Sequence, residues 1–532
     1  MLRKFFLLLV LLLTMTVIVA CSDDSSTADD QNTQDTNNGE VNDDNGNQTA
    51  DDKTPDNQQQ DEKPTYWSED GANLKLFLAS HASWPYQDEW PIWDWIKEKT
   101  NITIEGQPPS GEYADKLSIT MASGNLPDLF NIWSGDDSKY GQAGAFVDLT
   151  KHLDKMPNLK KFWEENPDVR SRATLPDGAV YLAIAEGSSF SNQRAWQYRE
   201  DVFEENGLEV PTTWDELYDV SKKLKEIYPD SFPLVFRGGI GAFGNISMSF
   251  GTYNNYFPDL ETREVKFGPT TDEFKALVTR MNTFYDEGLI PPDWLSINTK
   301  QWTEYVATDS SFMTVDYIGR IDYFNNMFTE GKGRQMAYMK PPAGAGSPGY
   351  VIDAYYNSEG LAVAATSENM DAAFKYIDFL YSDEGIETMS WGEEGQTFVN
   401  ENGEKKIVDT YISFDDLRVK TGMGTYGTYG YFNPEAAYSM MNDEQKEVYE
   451  TISETAYPEK IVKPTFTKEE QEVMSVEGEA VKKHYEEEIA KFIIGDRSLD
   501  EYDQFISELE DLGLQKVIDT YTVAWKRQGT IE

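Results

Sequence analysis

Cysteine is almost absent from this chain: one in 532 residues, at position 21. Everything after it can form no disulfide, so the body must rest on its own apolar core. Histidine is nearly as scarce. His81, His152 and His484 are far apart, with no His-Glu-x-x-His pair, which argues against a zinc hydrolase. No Gly-x-Ser-x-Gly elbow occurs, and the body holds no thiol nucleophile. Basic charge is short too, with 46 Lys and Arg against 94 Asp and Glu, a net charge of -48. Nucleic acid is therefore not an expected partner, because phosphate binding needs a basic face. Beyond the N-terminal apolar stretch, no second run reaches the about 20 residues that a membrane span needs.

What is there begins with Met1-Leu2-Arg3-Lys4, an unbroken apolar run from Phe5 to Leu13, and Ile18-Val19-Ala20 leading into Cys21. A basic start, an apolar centre and a small residue at the cut make residues 1–20 a signal peptide. The placement of Cys21 resembles the bacterial lipoprotein signal, in which the thiol takes a diacylglycerol and becomes the new N-terminus. Ser22 to Lys63 is almost wholly Asp, Asn, Gln, Ser, Thr and Gly, with no aromatic residue. Such a segment cannot bury enough apolar surface to offset its ordering entropy. Residues 21–63 thus read as a lipidated cysteine and an extended acidic tether.

From Pro64 onward the composition is that of a folded protein, long enough for two or three domains. All thirteen tryptophans lie at or after Trp67. Leu74–Ala79, Ile102–Glu105 and Leu129–Trp133 read as buried strands, separated by helices at Glu89–Glu98 and Glu112–Ala122. Thr213 and Glu216 form a capping box ahead of Leu217, Val220, Leu224 and Ile227 on one helical face. Thr270 and Glu273 suggest another, before Phe274, Leu277, Met281 and Phe284, with Gly288 as C-cap. Phe312–Val315 and Gly360–Ala364 are strand-like, Ala372–Tyr381 is helical, and the last third is mostly helix. Alternating strands and helices imply α/β sheets covered on both faces.

Several blocks in this order carry a resemblance. Lys116-Leu117 followed by Met121-Ala122-Ser123-Gly124-Asn125-Leu126-Pro127-Asp128-Leu129 resembles a signature of the extracellular solute-binding proteins, family 1, the sugar receptors of ABC transporters. Tyr198-Arg199-Glu200-Asp201, Gly207-Leu208 and Pro211 to Leu217 are similar to a second block of that family. Lys340-Pro341-Pro342 matches a third. Tyr381 to Gly385 and Trp391 to Gly395 resemble a block of its long lipoprotein branch in Gram-positive bacteria, and Phe492 to Leu514 with Ala524-Trp525-Lys526-Arg527 resembles its end. The set covers nearly all of residues 72–530.

The resemblance implies a two-lobed periplasmic-binding-protein-like fold of type II, its lobes joined by crossover hinge segments and its ligand in the cleft. The expected division is 64–186 and 343–392 for the first lobe, 187–342 and 393–532 for the second. The glycines 344, 346 and 349 suit a flexible crossing, since glycine tolerates backbone angles other residues avoid. The implied role is a receptor on the outer face of the cell membrane, a lipid-anchored monomer that hands an oligosaccharide to ABC permease subunits. No catalytic residue and no cofactor is expected. Many relatives carry a calcium loop after the helix that follows the Pro211 to Leu217 block. Here Ile227 to Pro233 is too short and too poor in oxygen ligands, so no metal is expected there. A lipid-anchored glycoside hydrolase is the rival reading, since two carboxylates at the correct separation would suffice. A sensor or adhesin on the same fold is a third.

A pyranose offers apolar C–H faces and a rim of hydroxyls, so aromatic rings and forked hydrogen-bonding groups at strand ends are the candidates. These are Trp84 and Tyr86 after the first strand, Trp133 after the third, Trp196 and Arg199 after the first crossing, and Asp316 and Tyr317. Tyr355 and Tyr356, then Trp391 and Glu394 at the last crossing, complete the set. Each has a packing alternative: Trp133 ends an apolar strand, Arg199 is positioned to hold Asp201, and Glu394 suits a hinge. Tyr426, Tyr429 and Tyr431 sit in a Gly-rich loop and form either a contact surface or a packed lid. Arg194, Arg237 and Arg320 are ordinarily surface ion-pair residues; several of them inside the cleft of so acidic a body would point to an acidic sugar.

Overall fold

The computed structural model describes residues 67–531 except 82, 188–192, 329–332, 353–357, 442 and 459–460. The signal segment, Cys21 and the acidic tether lie outside the described residues. Among the described residues twelve strands run in chain order: β1 (Ala72–Phe77), β2 (Ile102–Gln107), β3 (Leu129–Trp133), β4 (Ala183–Ile184), β5 (Arg194–Arg199), β6 (Tyr256–Pro258), β7 (Val265–Phe267), β8 (Met313–Tyr317), β9 (Met336–Met339), β10 (Glu359–Val363), β11 (Phe398–Glu401) and β12 (Glu404–Ile407).

The first sheet has the order β2-β1-β3-β10-β4. Its first three strands are parallel, and the helices Pro91–Thr100 and Tyr113–Ser123 carry the chain from one to the next, as parallel pairing requires. Pro91 opens the first of these helices at a position that needs no backbone N–H, and Ile92, Trp93, Trp95 and Ile96 turn inward. The second ends at Gly124 in a left-handed cap. β10 returns antiparallel between β3 and β4 and sets Glu359 directly opposite Trp133.

The second sheet is β5 flanked by β8 and β9, all antiparallel. The helix Trp214–Ile227 packs against it behind the Thr213–Glu216 capping box, formed as expected. Leu217, Val220 and Leu224 are buried, while Ile227, one turn further, is 45% exposed where the helix ends. The next cap differs by one residue. Thr271, not Thr270, accepts from Phe274 N, because Thr270 closes a short turn after Pro269 and its hydroxyl donates to Phe267 O. Phe274, Leu277, Met281 and Phe284 are all fully buried, and Gly288 follows in the left-handed region. The C-terminal helices join this lobe: Asn282 donates to the carbonyls of Phe492 and Ile493, closing the end of the helix Glu479–Ile494.

Each sheet has its own core. Leu74, Leu76, Ile102, Ile132, Ala362 and Phe374 are fully buried in one; Trp196, Leu217, Phe274, Met281 and Phe492 are fully buried in the other. A leucine or phenylalanine buried this way contributes about 1.5–3 kcal/mol, so both lobes have the means to hold their own shape.

Two stretches sit differently from the expected division. Ala343, Gly344 and Val351 pair by backbone with Thr212, Ser249 and Thr455 of the second lobe, and Val351 belongs to its core. The glycine-rich run is therefore bound down: a side chain at Gly349 would meet Pro341 O at 2.3 Å. Phe398, Ile407, Leu417, Met423, Phe432 and Ala437 belong to the first core. We therefore propose that the first lobe resumes after Val351, at β10, and extends to Ala437 before the chain crosses for the last time.

Candidate functional site

The ends of β1, β3 and β8 and the start of β10 face one cleft, with a cavity of about 190 Å³. His81, Trp84, Trp133, Glu359, Arg418, Tyr426 and Tyr429 line it from the first lobe. Tyr317, Arg320, Asp322, Asn325, Tyr338 and Tyr449 line it from the second.

An aromatic wall forms the first side. His81 stacks on Trp84 with ring centres 4.3 Å apart, Trp84 meets Tyr426 at 4.7 Å, and Trp133 meets Tyr426 edge-on at 5.5 Å. Tyr426 is set there by a tight turn. Gly427 has φ +80°, and a side chain on it would run into Leu76 at 2.6 Å, so only glycine lets the turn press onto the core. Ser83 N donates to His81 Nδ1 at 3.2 Å. Burial, then the charges of Arg320, Arg418 and Arg237, hold the imidazole pKa down to about 3, so His81 is neutral at any physiological pH.

Glu359 occupies the floor. Tyr429 donates its hydroxyl to Glu359 Oε1 at 2.8 Å. Burial outweighs that bond and the nearby Arg418 charge, and raises the carboxyl pKa to about 7.

The opposite side is built around Asp316. Arg237 grips it with two hydrogen bonds, Nε to Oδ2 at 2.8 Å and Nη2 to Oδ1 at 3.0 Å, and Arg320 Nε stands 3.5 Å from Oδ1. Tyr317 N donates to Oδ1 as well, at 2.8 Å. Burial works against the charge of Asp316, but Arg237 first, then Arg194 and Arg320, hold its pKa below the usual carboxylate range. Arg194 lies flat over the Tyr317 ring, 3.4 Å from its centre. Arg320 also reaches across the cleft and donates Nη1 to Ser83 Oγ of the first lobe.

Of the residues expected from sequence, Trp84, Trp133 and Tyr317 face the cleft. Asp316 lies just behind, 4% exposed and engaged by arginines. Tyr86 is held by Asp88 and Gly106 N and packs on Trp90 and Trp93. Trp196 is fully buried in the second core against Trp214. Arg199 is 2% exposed and binds Asp201 and Asp309. Trp391 packs beside Phe398 in the first core, and Glu394 is exposed ahead of β11. Tyr355 and Tyr356 lie outside the described residues. Of the loop tyrosines, Tyr426 and Tyr429 join the site, whereas Tyr431 packs on Phe162. Glu359, Arg418 and Tyr449 carried no local signal; Glu359 belongs to a strand whose expected start fell one residue later. In the loop 227–233, Lys225 Nζ donates to Ser231 O at 2.6 Å, so an ammonium occupies that carbonyl.

An aromatic wall faced by forked donors and a few carboxylates suits a polyhydroxylated ring: faces to stack on, edges to bond. The cavity is smaller than the about 300–1,000 Å³ usual for ligand sites.

Residues 79–387 match the family model described as bacterial extracellular solute-binding protein. The chain is 26% identical over 366 residues to the fructooligosaccharide ABC transporter substrate-binding protein FusA of Streptococcus pneumoniae serotype 4, spanning 63% of this chain and 65% of that one. It is 24% identical over 460 residues to the polygalacturonan/rhamnogalacturonan-binding protein YtcQ of Bacillus subtilis, spanning 81% and 87%. Among solved structures, alginate-binding protein AlgQ2 without calcium ion superposes with a TM-score of 0.75 at 21% identity, covering 87% of this chain and 99% of that one. FusA of S. pneumoniae in complex with kestose gives 0.69 at 20% identity, covering 86% and 98%. The fold is the α/β, type II periplasmic-binding-protein-like arrangement that the sequence blocks implied.

Proposed function

The chain belongs to the bacterial extracellular solute-binding protein family, and from that premise we propose a membrane-anchored extracellular receptor that binds an oligosaccharide between its two lobes and delivers it to an ABC import permease. The observation that carries this reading is the cleft itself, with stacking rings on one lobe and arginine and tyrosine donors on the other. Ligand touching both walls favours the closed arrangement, a population shift about the crossing segments. Cys21 carries the lipid, residues 22–63 hold the body off the membrane, and the receptor acts as a monomer and catalyses nothing. Asp316 acts through the arginines it positions, since its oxygens are already engaged.

One observation favours the hydrolase as a second reading. Glu359, with its raised pKa, has the character of a general acid. A glycosidase needs a second carboxylate free to act across the bond, and Asp316 is committed to Arg237. A thermal-shift screen of the full chain against neutral and acidic oligosaccharides, each checked for breakdown products, separates the two. A ligand at about 100 times its dissociation constant adds roughly 2.7 kcal/mol to the folded state. A rise in Tm with the sugar intact supports the receptor, and cleaved sugar replaces it with the hydrolase.

A further inference from the structure

Four guanidinium groups gather at this cleft in a protein of net charge -48. Arg320 and Arg418 line it from opposite lobes. Arg237 stands behind on Asp316, and Arg194 lies on the Tyr317 ring. Collecting cations in a half-buried site costs several kcal/mol per ion unless counter-charge meets them. Asp316 serves Arg237 and Arg320 together, and Asp415 stands 3.4 Å from Arg418 Nη1. Asp322 accepts from Gln445. Glu359, the remaining carboxyl of the cleft, is kept partly protonated at neutral pH by its burial.

Arg320 keeps unused hydrogen-bonding capacity. It is 3% exposed, its Nε is buried without a hydrogen bond, and its reach across the cleft ends on a neutral hydroxyl, Ser83 Oγ. Arg418 is 7% exposed, laid over Phe414 at 4.2 Å and Trp84 at 5.3 Å, with Nε donating to Gly424 O. Both planes are therefore fixed by packing before any ligand arrives, and a fixed guanidinium loses little entropy when it bonds a carboxylate. A neutral sugar rim needs no such charge. A carboxylate takes two charge-assisted bonds from one fork, stronger than those a hydroxyl offers.

We propose that the ligand is an acidic oligosaccharide, a chain of uronate units, whose carboxylates are held by Arg320 from one lobe and Arg418 from the other while a ring face stacks on Trp133. This rests on the receptor reading and specifies its ligand class.

The test titrates the full chain calorimetrically with galacturonate oligomers of two to four units, the same oligomers methyl-esterified, and neutral galactose oligomers of equal length. Esterification removes the charge and leaves the sugar. The inference expects the free acids to bind at least tenfold tighter than their esters, with the difference shrinking as salt rises. Arg320→Gln and Arg418→Lys should each weaken the free acid at least tenfold and the ester less than threefold. The ester comparison needs no variant, so it decides the matter even if a substitution unfolds the chain. Neutral or esterified oligomers binding as tightly as the acids overturn the inference and leave the receptor standing. No binding of any oligosaccharide, charged or neutral, overturns both.

Discussion

Replacing Glu359 by glutamine should stabilise the protein, and increasingly so as pH rises. The carboxyl titrates near 7 in the folded state against an ordinary value of 4.5. Between those two values the native state keeps a proton that the unfolded chain has released, so stability falls with increasing pH, by about 1.4 kcal/mol per unit for one group. The loss is absent well below 4.5, grows through pH 7 and is complete above it. The gap between the two values sets an upper bound of about 3.4 kcal/mol. A carboxyl that is only partly buried at the cleft should realise on the order of 2 kcal/mol. Glutamine keeps the shape and can still accept from the Tyr429 hydroxyl, but carries no charge. The assay is denaturant unfolding of wild type and Glu359→Gln at pH 5, 6, 7 and 8. The lead of the variant should be smallest at pH 5, where about a quarter of the loss has developed, and should reach about 2 kcal/mol at pH 8. Asp137, also raised by burial, to about 6, titrates in the same window, but it is common to both proteins and cancels in the difference. Curves that stay parallel from pH 5 to 8, or a variant less stable at pH 8, would refute the assignment of Glu359 as a buried, destabilising carboxylate.

The other predictions separate ligand contacts from packing. Trp133→Ala should weaken oligosaccharide binding about tenfold, the loss of one stacking face, with a smaller loss of unfolding free energy than a core tryptophan gives, since the ring is only partly buried at the cleft. Trp196→Ala should do the opposite, costing about 3–5 kcal/mol of stability with unchanged affinity in the folded fraction, because that ring is fully buried against Trp214. Arg199→Ala removes the buried partner that Asp201 and Asp309 share, but Arg334 still pairs with Asp309 and Gln335 N still donates to Asp201, so it should cost about 1–3 kcal/mol in urea unfolding; ligand titration of the refolded variant should match wild type. Cys21→Ser should move the protein from the membrane fraction to the medium on cell fractionation; retention at the membrane would count against the lipid anchor.

The distribution of these roles shows what a single chain discloses. The buried strand at Leu74 to Phe77, the Thr213–Glu216 box and the buried face of the helix Asp272–Asp286 are local patterns, and the structure keeps each of them. Of the aromatic residues at strand ends, Trp84, Trp133 and Tyr317 line the cleft. The strand-end rule misplaced Trp196, because which face a strand residue takes depends on register. Pairing of Trp196 with Val315 turns both inward. Trp391 is expected to meet ligand at the last crossing, but the hairpin of β11 and β12 and the helix Phe414–Thr421 fold back onto the first core and enclose it. Arg418 and Glu359 were illegible for a different reason. Their character comes from partners brought together by the fold, Trp84 for the one and Tyr429 for the other, and no spacing along the chain announces those meetings.

The central claim is that an oligosaccharide closes two lobes upon itself. The absence of cysteine beyond position 21 makes that directly measurable. On a Cys21→Ser background, Ile119→Cys in the first lobe and Val523→Cys in the second place labels at positions 61% and 54% exposed. The distance between the labels is read by electron–electron resonance with and without saturating oligosaccharide. The account predicts a broad or longer distance without ligand and a single shorter one with it, the sugar recovered intact. A distance distribution that does not change at saturation would contradict it.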